Sequence, residues 1–212
     1  MPQYDAVIFD LDGVLVDTAK FHYLGWKRLA DELGIPFDQT KNERLKGVSR
    51  MDSLKILLEG AAKSYDDLDG LANRKNGYYL EMIEKITPSD ILPGVSELLK
   101  KLRDKGVKVG VASSSKNAKP VIEKLGIATL LDAIMDGNDC QCPKPAPDLF
   151  LRCAGCLGIA PARCIVVEDA QAGIDAAKAA GMRAIGVGTP EQLSGSYALI
   201  ANTADFTLEM LA

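Results

Sequence analysis

Five short apolar runs punctuate the chain: Ala6 to Phe9, Val107 to Ala112, Ala133 to Met135, Cys164 to Val167 and Ala184 to Val187. They are continuous rather than alternating, which is the pattern of strands covered on both faces of a parallel sheet. Between them apolar residues recur at helical spacing. Val95 to Lys105, Lys119 to Leu125 and Gly173 to Ala180 each run into a glycine (Gly106, Gly126, Gly181), the usual residue where a helix stops. Strand, helix, strand in repetition predicts an α/β fold built on a doubly wound parallel sheet.

One connection breaks the rhythm. Residues 11–106 separate the first run from the second, whereas a parallel crossover needs only about a dozen residues. The surplus is helical in period. Thr18 is placed to cap a helix that carries Trp26, Leu29 and Leu33 on one face and ends at Gly34 and Pro36. Ser49, ahead of Arg50, Met51 and Asp52, reads as a second cap, and a third helix is expected over Asp67 to Glu84. The expected organisation is a core of residues 1–16 and 87–212 with an inserted helical cap of residues 17–86.

Composition narrows the class. Of 212 residues, 47% are hydrophobic and 25% charged, the balance of a globular protein and not of a disordered one. A net charge of −4 supplies no broad positive field, so neither a nucleic-acid partner nor an anionic membrane surface is expected. No run approaches 18 apolar residues, and the first residues show no basic stretch ahead of an apolar one; a cytoplasmic location without signal peptide or anchor is the expectation. The five cysteines are odd in number and confined to the second half, which favours reduced thiols over disulfides. Cys140-x-Cys142 and Cys153-x-x-Cys156 have the spacing of zinc half-sites, but the second pair falls in a helix-like stretch where small apolar residues serve equally well.

In an open parallel sheet, ligands bind beyond the carboxyl ends of the strands. The first run, in "AVIFDLDGVLVDT", ends at Asp10 and Asp12; the second at Ser113, Ser114 and Ser115; the fourth at Glu168 and Asp169; Lys144 follows the third. Crowded carboxylates repel one another unless a cation intervenes, and Mg²⁺, which favours oxygen ligands and shares its sites with phosphate, suits them. Lys144 and a serine hydroxyl would hold the remaining phosphate oxygens. Asp10, at the strand tip, is placed to act as a nucleophile forming an aspartyl-phosphate, and Asp12, two residues on, as general acid and base. For Asp17 a helix cap or solvated turn explains the residue equally well.

With these residues the sequence resembles the haloacid dehalogenase superfamily of phosphotransferases. "DLDG" at Asp10 to Gly13, Ser113, Lys144, and the pair Glu168 and Asp169 match its four motifs in order. The stretches "FHYLGWKRLADELGI", "LKGVSRMDSL", "RKNGYY", "ASSSKN", "KPAPDLF" and "EDAQAGI" extend the resemblance over nearly the whole chain, toward the superfamily's sugar-phosphate mutases. The resemblance implies conversion of β-D-glucose 1-phosphate to glucose 6-phosphate through a β-glucose 1,6-bisphosphate intermediate, by a monomer acting on a small-molecule sugar phosphate. It implies Mg²⁺ on the carboxylates of Asp10 and Asp169 and the backbone carbonyl of Asp12, with Glu168 in support. Arg50, helped by Ser115, Lys116 and Asn117, would hold the phosphate that is not reacting; His22, Trp26, Gly47, Val48, Ser53 and Lys75 would line the sugar side; Lys46 and Ser114 would also bind substrate; Thr18 and His22 would position Asp12. From the residues alone, His22 reads as a core or boundary residue and Trp26 equally as plain packing. Arg50, at a helix start where the dipole disfavours a cation, calls for an anion. The resemblance also suggests a cis Lys144-Pro145 bond, and the chain departs from the family at Ala170, where serine is expected. A phosphatase of the same superfamily is the nearest rival. A response-regulator switch would have no use for the helical insert, and no Gly-x-Gly-x-x-Gly follows the first strand to hold a dinucleotide.

Overall fold

The computed structural model describes residues 4–61 and 64–212. Its elements run β1 (Ala6–Phe9), α1 (Ala19–Leu33), α2 (Gln39–Glu43), α3 (Arg50–Leu58), α4 (Leu68–Ile83), α5 (Val95–Asp104), β2 (Lys108–Ala112), α6 (Ala118–Leu125), β3 (Ala133–Met135), α7 (Asp148–Leu157), β4 (Cys164–Glu168), α8 (Gln171–Ala179), β5 (Arg183–Val187) and β6 (Ala198–Ile200). All sheet pairs are parallel, in the order β3-β2-β1-β4-β5-β6. The chain therefore leaves β1 in one direction and returns on its other side at β4. Open sheets bind ligands at such a reversal.

The continuous apolar runs have the predicted meaning. Val7, Phe9, Val109, Val111, Ile165 and Val167 point to one face, under α5 and α6. Ala6, Ile8, Ala112, Cys164 and Val166 point to the other, under α7 and α8. Both layers are apolar, and each strand residue from Ala6 to Phe9 is fully buried. The inserted helices form a third hydrophobic cluster of their own, centred on Trp26, Leu29, Leu54, Leu57 and Leu71. The lower end of α4 breaks that division: Tyr79 and Ile83 pack into the sheet cluster instead. Two connections join the helical insert to the sheet, and they run side by side, with Val16 bridged to Ile91 and the Leu92 N–H donating to the Leu15 carbonyl at 3.0 Å.

Three local expectations change. Thr18 does stand at the N-cap of α1, but its hydroxyl caps nothing; it is turned toward Asp12 instead. The strand β6 and the helix α2 were not expected. The first is three residues long, and the second, Gln-Thr-Lys-Asn-Glu, has no apolar period; it is started by the Asp38 side chain accepting from the Lys41 N–H. The cysteine spacing has no metal consequence among the described residues, where Cys153 is buried in α7 with its thiol directed at the Val111 carbonyl.

Candidate active site

The β1 strand aims Asp10 at the point where the chain order reverses. Its N–H continues the sheet by donating to the Val167 carbonyl at 2.9 Å, so the carboxylate emerges beside the end of β4. There Asp10, Glu168 and Asp169 each offer a carboxylate oxygen within 4.8 Å of the others. Lys144 reaches in from the loop after β3, across a cis Lys144-Pro145 bond. Its ammonium donates to Asp10 Oδ1 at 2.6 Å, Glu168 Oε2 at 2.8 Å and the Ala112 carbonyl at 2.9 Å, so all three of its protons are used. The turn after Asp10 must pass close to Asp169. Gly13 makes this feasible, with φ of +86° and no side chain: a Cβ there would lie 2.5 Å from Asp169 Oδ2.

Three carboxylates and one ammonium sum to a formal charge of −2 in a largely buried site. Burial, the largest effect, favours the neutral acids: it pushes Glu168 up to about 8 and Asp169 up to about 7, and it raises Asp10 against the pull of Lys144. Lys144 itself stays charged, because its two carboxylate partners outweigh its own desolvation. A divalent cation with oxygen preference meets that unbalanced charge, and the donor set of hard carboxylate oxygens fits one. Glu168 is tied back by Lys144 and by the Ala170 N–H, which donates to its Oε1 at 3.2 Å. That bond is from the backbone, so alanine in place of serine at position 170 does not disturb it.

Asp12 faces the other way, toward the helical insert. Thr18 donates its hydroxyl proton to Asp12 Oδ1, and His22 Nε2 lies 3.5 Å from the same oxygen. Behind it, Lys75 Nζ stands 2.8 Å from His22 Nδ1. With Lys75 as the donor, Nδ1 accepts, Nε2 carries the proton, and the neutral ring points that proton at Asp12. Burial and the nearby Lys75 charge hold His22 below its ordinary value, which fits the neutral tautomer. Burial alone would raise Asp12, but His22 and Thr18 outweigh it and keep the carboxylate ionised. Tyr79 stacks on His22, with ring centroids 4.1 Å apart, and Lys75 lies 4.8 Å over the Trp26 ring.

Among the described residues Lys75 has no carboxylate within ion-pair distance. Burial, reinforced by Arg50, brings its pKa down to about 7 from an ordinary 10.5. Between those values the unfolded chain binds a proton that the folded protein lacks, so this residue's penalty is complete below about pH 7 and fades as pH rises toward 10.5. Lys75→Met is therefore expected to raise the melting temperature clearly at pH 6 and hardly at all at pH 10, checked by thermal unfolding across that range.

A cleft of about 370 Å³ connects these groups, lined on the sheet side by Asp10, Asp12, Asp169 and the Ser113 to Asn117 loop, and on the insert side by His22, Trp26, Lys46 to Arg50, Ser53 and Lys75. Every residue expected to touch substrate lies on it. Thr18, Lys144 and Glu168 sit behind, holding Asp12 and Asp10. Two side chains are used differently from the expectation: Ser53 lines the cleft but donates its hydroxyl to the Leu45 carbonyl at 3.3 Å, and Ser114 donates to the Gly47 carbonyl at 2.7 Å, joining sheet to insert. Gly47, at φ +72°, rests so close to α8 that a Cβ would come 2.8 Å from the Ala170 methyl. Lys46 adds a contact 3.9 Å from Asp169, and Asn117 donates to Asn76 Oδ1 at 2.9 Å. Arg50 has no ion-pair partner among the described residues. Asn76 and Tyr79 escaped the sequence reading, although Ala72, Lys75, Asn76 and Tyr79 share one helical stripe and Lys75 had been singled out.

Comparison with known proteins fixes the class. Residues 4–181 match the model of the haloacid dehalogenase-like hydrolases, and the chain belongs to that family. It is 46% identical over 210 residues to the β-phosphoglucomutase of Bacillus subtilis, covering 97% of this chain and 93% of that one. The crystal structure of β-phosphoglucomutase from Clostridium difficile superposes with a TM-score of 0.90 at 42% identity, covering 98% of this chain and 95% of that one. A phosphorylated-carbohydrate phosphatase of Thermotoga maritima is 30% identical over 198 residues, covering 92% and 90% of the two chains.

Proposed function

We propose that this chain is a β-phosphoglucomutase, isomerising β-D-glucose 1-phosphate to glucose 6-phosphate through an aspartyl-phosphate enzyme and β-glucose 1,6-bisphosphate. Similarity to mutases at both the sequence and the structural level supports this reading. The observation that carries it against a phosphatase is Arg50: a half-buried guanidinium lining the same cleft as Lys116 and Asn117, with no ion-pair partner among the described residues. A mutase must grip a second phosphate while the first reacts. A phosphatase need not.

Mg²⁺ is the ion we assign to Asp10, Asp169 and the Asp12 carbonyl, where it would neutralise phosphoryl oxygens in transfer. Lys144 fixes one oxygen of Asp10, leaving the other free for phosphorus. In the first half-reaction the phosphoryl group leaves Asp10 as the sugar 6-hydroxyl attacks it; the Asp10 oxygen–phosphorus bond breaks and Asp12 takes the hydroxyl proton. After the bisphosphate reorients, Asp10 attacks the 1-phosphate and Asp12 returns that proton to the departing sugar oxygen. The phosphoenzyme is thereby restored. Because two of the groups that hold Asp12, His22 and Thr18, belong to the proposed cap of residues 17–86, cap opening would release this base and spare the phosphoenzyme from water.

The test is a mutase assay with β-glucose 1-phosphate, Mg²⁺ and a trace of bisphosphate, run beside phosphate release from a simple monoester. Arg50→Ala is expected to lower mutase turnover about a hundredfold or more while monoester hydrolysis falls only a few-fold, in line with the loss of a charge-assisted phosphate contact. Equal losses would favour the phosphatase.

A further inference from the structure

The turn that carries Asp12 is anchored from the far end of the chain. Thr203, only 2% exposed, donates its hydroxyl to the Val14 carbonyl at 2.6 Å, although 189 positions separate the two in sequence. Within the turn the Val14, Leu15 and Val16 N–H groups all donate to the Leu11 carbonyl, at 3.3, 3.0 and 3.2 Å, and the Gly13 N–H donates to the Val16 carbonyl at 2.8 Å. Leu11 to Val16 is therefore a closed, internally bonded loop. A displacement of Val14 is felt at Asp12 and at Gly13, which lies against Asp169. Among the described residues no backbone N–H donates to the Val14 carbonyl, so the Thr203 hydroxyl is what satisfies it.

Thr203 is itself held in place. It opens a 3-10 turn, Thr203–Asp205, in which the Asn202 N–H and Nδ2 donate to Asp205 Oδ2 at 3.2 and 2.8 Å. The Phe206 that follows is buried, with its ring centroid 6.4 Å from that of Phe9 on β1. Ala204 rests on Gly94, where a Cβ would come 2.7 Å from its methyl. Gly94 lies just beyond Leu92, whose N–H joins the second connection to Leu15. One short turn thus touches the foot of both connections to the insert, the first by a hydrogen bond and the second by close packing.

We propose that Thr203 is a positioning residue for the acid/base: by tethering Val14 it fixes the loop from which Asp12 meets the sugar oxygen. It rests on the reading of Asp12 given above. Without the hydroxyl the buried Val14 carbonyl has no donor, and the loop must shift to find one. A misplacement of about 1 Å is enough to cost about a hundredfold where reaction depends on alignment, and a tether acting at one remove is expected to be worth about tenfold.

Thr203→Val and Thr203→Ala delete the hydroxyl, with and without keeping the volume, and Thr203→Ser keeps it. Assayed well below their melting temperatures, the first two are expected to lower mutase kcat about tenfold with KM for β-glucose 1-phosphate within about twofold, and Thr203→Ser to stay within about twofold of the parent in both. Phosphorylation of Asp10 by acetyl phosphate, whose departing carboxylate needs no proton from Asp12, is expected to keep its rate within about twofold in all three. Parental kcat in whichever of Thr203→Val and Thr203→Ala folds overturns the proposal. So does a Thr203→Ser enzyme as slow as those two, or an equal loss in the acetyl phosphate step, which marks general damage to the site. If the parent releases phosphate from β-glucose 1-phosphate but does not isomerise it, the mutase reading falls. The same variants read by phosphate release then still decide the tether, because the departing sugar oxygen needs the Asp12 proton in either reaction.

Discussion

Asp10→Asn is expected to abolish both phosphoryl transfer to sugar and phosphate release, by at least about 10⁴-fold, while the protein remains folded. The substitution keeps the shape of the side chain and removes only the nucleophilic charge. Burial opposes ionisation of Asp10 more than any other effect, and Lys144 keeps a second partner in Glu168. The variant should therefore melt at or above the parental temperature, the trade of stability for activity that strained active sites show. A folded Asp10→Asn enzyme that still turned over either substrate would remove Asp10 as the phosphoryl carrier. Failure to incorporate phosphate from the bisphosphate, read by intact mass after rapid quench, checks the same point without relying on turnover.

Much of this site was legible in the chain because a parallel sheet converts sequence order into spatial order. An apolar run covered on both faces announces a strand, and the residue that follows it must sit on the binding rim; Asp10, Ser113 and Glu168 were placed by that rule alone. Lys144 was placed on the same rim as a grip on phosphate oxygens, but nothing in the spacing says that its three protons go to Asp10, Glu168 and a carbonyl behind the site. The insert was harder to read. Its helices show their apolar faces, but which residue of a helix faces a cleft depends on how helix and sheet are docked. His22 and Trp26 needed the family resemblance, and Tyr79, whose ring looks like ordinary core, was missed entirely. Thr18 illustrates the limit best: hydroxyl, position and helix start all matched a capping residue, and tertiary contact with Asp12 diverted the hydroxyl.

Lys144 carries the other large effect. Its ammonium is fully buried between Asp10 and Glu168 and lies 4.7 Å over the Phe150 ring. Lys144→Met fills much the same volume but leaves acids facing one another with no cation, and removing one partner from a buried ion pair typically costs about 3–5 kcal/mol. For a chain of this length that corresponds to a fall in melting temperature of roughly 10 °C, together with loss of both activities. The sign of the charge imbalance makes the prediction specific. Adding Glu168→Gln to Lys144→Met deletes one of the orphaned acids while the Ala170 N–H can still donate to the side-chain oxygen, so the double variant should melt above the single one without regaining turnover. If Lys144 merely filled space, the second substitution would lower stability further. Thermal unfolding of the three proteins in metal-free buffer at pH 10, above the value near 8 to which burial lifts Glu168, so that the acids escape less by taking up protons, separates the two outcomes.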